Sequence, residues 1–162
     1  MRDGEAMPDI EQSAGLAFRA VPGLEWLADG DNRTAARYRD IVGQDWSWVA
    51  VAPDGRLAGF VAATVEPDAV HVWEAAVRLE AQGRGIGRRL FARLFAQAAG
   101  VAPVTLTTFR DVPWNQPFYR SLGFDTVEGD AMGPRLAGIL AAEAEAGLPA
   151  ERRCAMVRAV MR

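Results

Sequence analysis

The chain has 162 residues, half of them hydrophobic, which suits one domain with a packed core and leaves no apolar run long enough to span a membrane. One cysteine, Cys154, and one histidine, His71, exclude an internal disulfide, a cysteine-built zinc site and a His-rich metal cage. The net charge of −3 argues against nucleic acid as a partner; all 18 basic residues are arginine, so lysine chemistry is excluded as well.

No basic-then-apolar leader precedes Pro8, and a cytoplasmic protein is expected. Pro8-Asp9 followed by Ile10, Ala14, Ala17 and Phe18 predicts a first helix, and residues 24–39 a second helical stretch interrupted at Asp29-Gly30-Asp31-Asn32. Trp46 to Ala52 reads as a strand, Pro53-Asp54-Gly55-Arg56 as a hairpin turn, and Leu57 to Glu66 as the returning strand. Pro67-Asp68 turns the chain into a third strand, Val70 to Val77. Next comes a glycine-rich turn, then a helix whose Leu90, Phe91, Leu94, Phe95 and Ala98 form one apolar stripe and which Gly100 ends. Val104 to Thr108 is a short buried strand. Asn115 leads into a short helix through Leu122, with Gly123 as its stop. Phe124 to Val127 reads as a strand, Pro134 to Ala146 as an alanine-rich helix, and Arg153 to Val160 as the last strand. No repeat, low-complexity tract or linker interrupts this order, so residues 1–162 are expected to form a single mixed-sheet domain.

The turn Gln82-Gly83-Arg84-Gly85-Ile86-Gly87 carries the most information. A glycine-rich turn that opens a helix leaves several backbone N–H groups aimed at one point, which suits phosphate oxygens. Two nucleotide fingerprints fail here. Counted from Gly83 or Gly85, G-x-G-x-x-G lands on Arg88 or Leu90, and a phosphate-binding loop would need a lysine. The pattern that fits is Q-x-x-G-x-G, and its natural guest is a pyrophosphate. Arg84, Arg88 and Arg89 crowd the helix start, where the macrodipole disfavours cations, with Arg93 one turn on. A bound polyanion would remove that conflict.

Taken together, Val72-Trp73-Glu74-Ala75-Ala76-Val77, the Gln82–Gly87 turn and Asn115-x-x-Phe118-Tyr119-x-x-x-Gly123-Phe124 resemble the GNAT superfamily of acetyl-coenzyme A-dependent N-acetyltransferases. The resemblance runs from about residue 10 to the end of the chain. It implies an α/β (α+β) fold: a mixed, mostly antiparallel central sheet flanked by helices on both faces, splayed between the fourth and fifth strands. It also implies that backbone groups of Ala76 and Val77 lie along the pantetheine arm, and that Gln82, Gly83, Arg84, Gly85, Ile86, Gly87 and Arg88 hold the pyrophosphate. Asn115 and Phe118 complete the implied coenzyme contacts, although Asn115 also reads as a plain N-cap. Acetyl-coenzyme A is then the cosubstrate, with no metal. Two departures stand out: only Met1 to Met7 precede the first helix signal, leaving the family's first strand short or lost, and the simplest relatives lack the helix at 134–146.

The implied reaction passes an acetyl group from the thioester directly to an amine, of a small molecule or an amino terminus, without an acyl-enzyme. Tyr119 matches the family's proton donor for the departing thiolate; a phenol stays protonated at neutral pH. Glu74, an isolated carboxylate in an apolar run, is the first candidate base. His71 is the runner-up, on the opposite face if strict alternation holds through Ala75-Ala76, and bulk water is a third route. Phe18, Arg19, Trp26, Thr107, Phe109 and Trp114 are candidates for the acceptor pocket. A non-catalytic acyl-coenzyme A sensor is the competing reading. Exposed sheet edges make a homodimer plausible on sequence grounds.

Overall fold

The computed structural model describes residues 6–30 and 46–160. Contacts group the chain into two compact units, residues 1–65 with 73–97, and residues 66–72 with 98–162.

In the first unit, α1 (Met7–Gly15) opens with proline in its first turn, and a 3₁₀ segment, Leu16–Ala20, continues from it. Of the helix expected over 24–39, the structure has only a 3₁₀ turn at Glu25–Ala28; the part beyond Gly30 lies outside the described residues. The first five residues also lie outside, and Ala6 is already a turn, so no strand precedes α1 among the described residues. Strand β1 (Ser47–Val51) pairs antiparallel with β2 (Leu57–Val65) across the expected hairpin. There Gly55 adopts φ +83 and donates its N–H to the Ala52 carbonyl, while the Asp54 carboxylate accepts from the Arg56 N–H. One apolar cluster seals this unit: Met7 and Ile10 of α1 pack on Phe60, Ala62 and Ala76, with Trp73 against them. Each fully buried side chain of this size contributes about 1.5–3 kcal/mol.

Strand β3 (Val70–Val77) contributes to both units, Val70–Val72 to the second and Trp73–Val77 to the first. Trp73 and Ala76 lie three apart yet join the same cluster, and the Trp73 indole donates to Thr64 on β2 (2.7 Å). Strict alternation would put them on opposite faces, so the strand changes parity between them. Gly59 explains how β2 accommodates this. A Cβ there would lie 2.8 Å from the Ala76 carbonyl oxygen and 3.3 Å from the Val77 Cα. Helix α2 (Ile86–Ala98) buries Leu90, Phe91, Leu94 and Ala98, with the Phe91 and Phe95 rings 5.6 Å apart.

The second unit holds β4 (Val104–Phe109), α3 (Gln116–Ser121), β5 (Asp125–Val127), α4 (Gly133–Glu145) and β6 (Arg153–Arg158). Strand β4 runs parallel to β3 over Val70–Val72 against Val104–Leu106, and antiparallel to β6 along its whole length. Strand β5 pairs antiparallel with β6. Among the described residues the strand order is β1-β2-β3-β4-β6-β5, a six-stranded mixed sheet with helices, in agreement with the fold expected from the sequence. Short 3₁₀ turns at Leu79–Ala81, Gly129–Met132 and Ala150–Arg152 were not legible in the sequence.

Candidate active site

The chain enters the glycine turn under tight control. Arg78 donates its N–H to the Ala58 carbonyl and its Nε–H to the Leu57 carbonyl, both at 2.8 Å. Ser13 of α1 accepts from the Leu79 N–H (3.1 Å) and donates to the Glu80 carboxylate (3.2 Å). The Gln82 side chain folds back on the Val77 carbonyl (3.1 Å), so it braces the turn. Gly83 and Gly85 both sit at φ +74, where a side chain is strained. A Cβ at Gly83 would meet nothing within 4 Å, and one at Gly85 only the Arg89 guanidinium at 4.0 Å. The helix ladder starts with Arg89 N–H on the Gly85 carbonyl (3.1 Å). Among the described residues no recorded backbone hydrogen bond uses the N–H of Gly83, Arg84, Gly85, Ile86 or Gly87. Six exposed positions, Gln82, Gly83, Arg84, Gly85, Arg88 and Arg89, border this open surface, and Arg89 also reaches the Arg84 carbonyl. Donors without partners, room outside the glycines and guanidinium groups nearby are what a diphosphate requires.

The second half of the motif lies on α3. Asn115 stands at the N-cap, but its side chain makes no capping bond; only its carbonyl accepts, from the Tyr119 N–H (3.0 Å). The expected plain N-cap role of the Asn115 side chain is therefore absent. Tyr119 is half-buried and wedged edge-on between Phe118 (5.3 Å) and Phe124 (5.9 Å). Its carbonyl accepts from Leu122 and Phe124, with Gly123 at φ +89 closing the helix end. These contacts fix the direction of the ring.

The two sequence candidates for the base have different surroundings. Glu74 is half-buried on β3. His71 is only 1% exposed, with Nδ1 2.9 Å from the Thr105 hydroxyl and 3.3 Å from Arg135 Nη1. Arginine can only donate, so Nδ1 is an acceptor and the proton of the neutral ring sits on Nε2. Arg135 also donates to the Thr105 hydroxyl (3.2 Å). Burial, seconded by the Arg135 charge and opposed by Asp68, pulls the imidazole down to about 3. Arg135 in turn grips Asp68 (2.7 Å) and holds that carboxyl below its usual range.

The acceptor-side candidates have different surroundings. Arg19 pairs at the surface with Asp29 (3.0 Å), Phe18 is half-buried, and Trp26 and Trp114 are 50% and 38% exposed. Thr107 and Phe109 enter a cluster the sequence did not suggest. Arg153 meets Glu143 two-pronged, Nε to Oε2 and Nη2 to Oε1, both at 3.0 Å. Thr107 donates to Glu143 Oε1 (2.5 Å) and accepts from Arg153 Nη2 (3.2 Å), and the guanidinium lies 4.6 Å over the Phe109 ring. Glu143 and Arg153 come from α4 and the start of β6, so only the folded chain brings them to Thr107.

A family model for the acetyltransferase (GNAT) domain matches residues 44–126, about half of the chain and all of the motif-bearing part. The chain belongs to the GNAT acetyltransferase family. Solved structures share its fold at low identity. The PaiA N-acetyltransferase from Thermoplasma acidophilum, crystallised with coenzyme A, is 16% identical over 98% of this chain and 93% of its own, with a TM-score of 0.67. The ribosomal-protein-S18-alanine N-acetyltransferase from Escherichia coli is 19% identical over 100% and 90%, at 0.65. A GNAT-family acetyltransferase from Staphylococcus aureus Mu50 is 12% identical over 99% and 94%, at 0.67. As a GNAT enzyme the protein is an acetyl-coenzyme A-dependent N-acetyltransferase, and the open turn fits that cosubstrate. Among the described residues no cluster of three or more His, Cys, Asp or Glu is placed to hold a metal ion, and no helix is long and apolar enough to cross a membrane.

Proposed function

We propose that the protein acetylates a primary amine, on a small molecule or an amino terminus, by direct attack within a ternary complex, and that residues 1–162 work as one N-acetyltransferase domain. The observation that carries this reading is the turn itself: two left-handed glycines with open space outside them, and N–H groups outside the helix ladder beside exposed arginines. Gly83, Arg84, Gly85, Ile86, Gly87 and Arg88 hold the diphosphate of the coenzyme. Gln82 acts by bracing the turn. Backbone groups of Ala76 and Val77, with Asn115 and Phe118, border the pantetheine arm; the Val77 carbonyl is already engaged by Gln82, so the remaining backbone groups there make the contact.

The coenzyme supplies a thioester whose acyl carbon the amine attacks. Tyr119 holds its phenol proton for the departing sulfur, a role supported by a ring fixed between Phe118 and Phe124. Glu74 receives the ammonium proton through water. An imidazole at about 3 and 1% exposed is a poor acceptor for that proton, which favours Glu74 over His71. Among the described residues β1 and β5 are the outermost strands, and two copies pair through such an edge. A reducing, cytoplasmic setting is in keeping with the buried free thiol of Cys154.

The test is thiol release from acetyl-coenzyme A over a panel of primary amines, run beside thermal stabilisation by coenzyme A. Turnover with an amine is the expected result. Stabilisation by the coenzyme with no turnover on any amine would replace catalysis with an acyl-coenzyme A sensor.

A further inference from the structure

The glycine turn is entered through a 3₁₀ turn, Leu79–Ala81, whose first N–H groups need partners from outside its own ladder. That ladder is short: Ala81 donates to the Arg78 carbonyl (2.9 Å) and Gln82 to that of Leu79 (3.3 Å). The N–H groups of Leu79 and Glu80 come before it, and Arg78 at the N-cap supplies no side-chain acceptor. A serine at the N-cap itself is the usual remedy. Here the serine comes from another element. Ser13, 66 residues before Leu79 and in the last turn of α1, accepts from the Leu79 N–H (3.1 Å) and donates to Glu80 Oε2 (3.2 Å). The Glu80 carboxyl is held below its usual range first by the Glu80 backbone N–H, then by the Ser13 hydroxyl, with Arg78 and Arg56 acting the same way against desolvation. One hydroxyl thus joins both ends of the cap.

Ser13 is a firm anchor because α1 is. Met7 and Ile10 are buried against Phe60, Ala62 and Ala76. On the other side the link to the coenzyme turn is immediate: the 3₁₀ turn closes at Gln82, and Gly83 follows at φ +74. All these residues belong to the first unit. Glycine has the widest conformational freedom, so the direction of the N–H groups in this turn is set by the chain that enters it.

We propose that Ser13 is a positioning residue for the coenzyme: by capping the Leu79–Ala81 turn from α1, it holds the backbone N–H groups of Gly83 to Gly87 in the arrangement that binds the diphosphate. This rests on the assignment of the diphosphate to that turn made above. Ser13 itself does not touch the coenzyme. Without its hydroxyl the Leu79 N–H loses its acceptor and Glu80 a donor, the entry to the turn frays, and affinity falls in proportion to the fraction of molecules still competent to bind.

The experiment is calorimetric titration of coenzyme A into the whole chain, with thermal unfolding of each free protein beside it. Ser13→Val and Ser13→Thr are matched in shape and differ by the hydroxyl, and Ser13→Ala removes the hydroxyl with a residue that favours the helix. Ser13→Ala and Ser13→Val are expected to bind coenzyme A about 3- to 30-fold more weakly, the range of one helix cap, at unchanged stoichiometry. Ser13→Thr should keep the wild-type affinity within about twofold, because threonine also caps. Wild-type affinity in Ser13→Ala, whatever its Tm, overturns the proposal and leaves Ser13 a structural contact only. So does equal weakening in Ser13→Thr and Ser13→Val, which would make the hydroxyl immaterial. Gly85→Val separates the two readings: weaker binding there beside wild-type binding in Ser13→Ala overturns the role of Ser13 alone, whereas wild-type affinity in both overturns the assignment of the diphosphate to the turn as well.

Discussion

Lowering the pH from 7 to 5 should destabilise this protein through one residue. His71 titrates near 6.5 when unfolded and at about 3 when buried beside Arg135, so between these values the unfolded chain binds the proton and the native state does not. A depressed native value means full stability above about pH 6.5 and progressive loss as the pH falls towards 3. Each pH unit inside that window costs about 1.4 kcal/mol, which gives about 2 kcal/mol between pH 7 and pH 5. For a chain of this size that is a fall in Tm of about 4–8 °C. The groups around the imidazole, Thr105, Arg135 and Asp68, do not mask the effect: arginine and threonine do not titrate there, and the Asp68 carboxyl is held below its ordinary range. The assay is urea or thermal unfolding across pH 5–7.5 for the wild type and for His71→Gln, whose amide oxygen still accepts from Arg135 but does not titrate. The chain has one histidine, so its NMR titration needs no assignment. A native imidazole signal titrating near 6.5, or the same pH slope in both proteins, would refute the reasoning.

Three further outcomes are expected. Tyr119→Phe should lower kcat about 100-fold or more while leaving coenzyme affinity by calorimetry nearly unchanged; a large loss of affinity would count against proton donation. Gly85→Val should weaken coenzyme binding and lower Tm together, because the strain is in the backbone: φ is +74 and the nearest outside atom is 4.0 Å away, so the penalty is about 1–2 kcal/mol of conformation without a clash. Gly59→Ala should destabilise by about 1–3 kcal/mol in urea titrations, since its Cβ would press on the Ala76 carbonyl and Val77 Cα; an unchanged midpoint would mean that β3 is free to shift.

Most of the element order was legible because it depends on local patterns. The apolar runs of β2 and β3, the four-residue spacing of Leu90, Leu94 and Ala98, and the glycine punctuation at Gly55, Gly85 and Gly123 are short-range properties. The turn at Gln82–Gly87 could be recognised for the same reason, since its chemistry is backbone chemistry set by which residues lack a Cβ. The helix expected over 24–39 fared differently: its described part is only the 3₁₀ turn at Glu25–Ala28, because Gly23 and Gly30 leave too short a run to nucleate a full helix.

What the sequence could not decide is which distant polar groups share a space. His71 reads as a lone strand histidine until Arg135, 64 residues later, is seen donating to its Nδ1 and burial is seen to pull the imidazole down to about 3. Glu143 and Arg153 look like ordinary surface charges on a helix and a strand end until Thr107 and Phe109 close around them. Backbone geometry is written into a few consecutive residues, and so the glycine turn and the motifs that resemble the GNAT family could be read from the sequence. Charge environment depends on packing between segments that are far apart along the chain, and so only the tertiary structure settled which ionisable groups are locked in place.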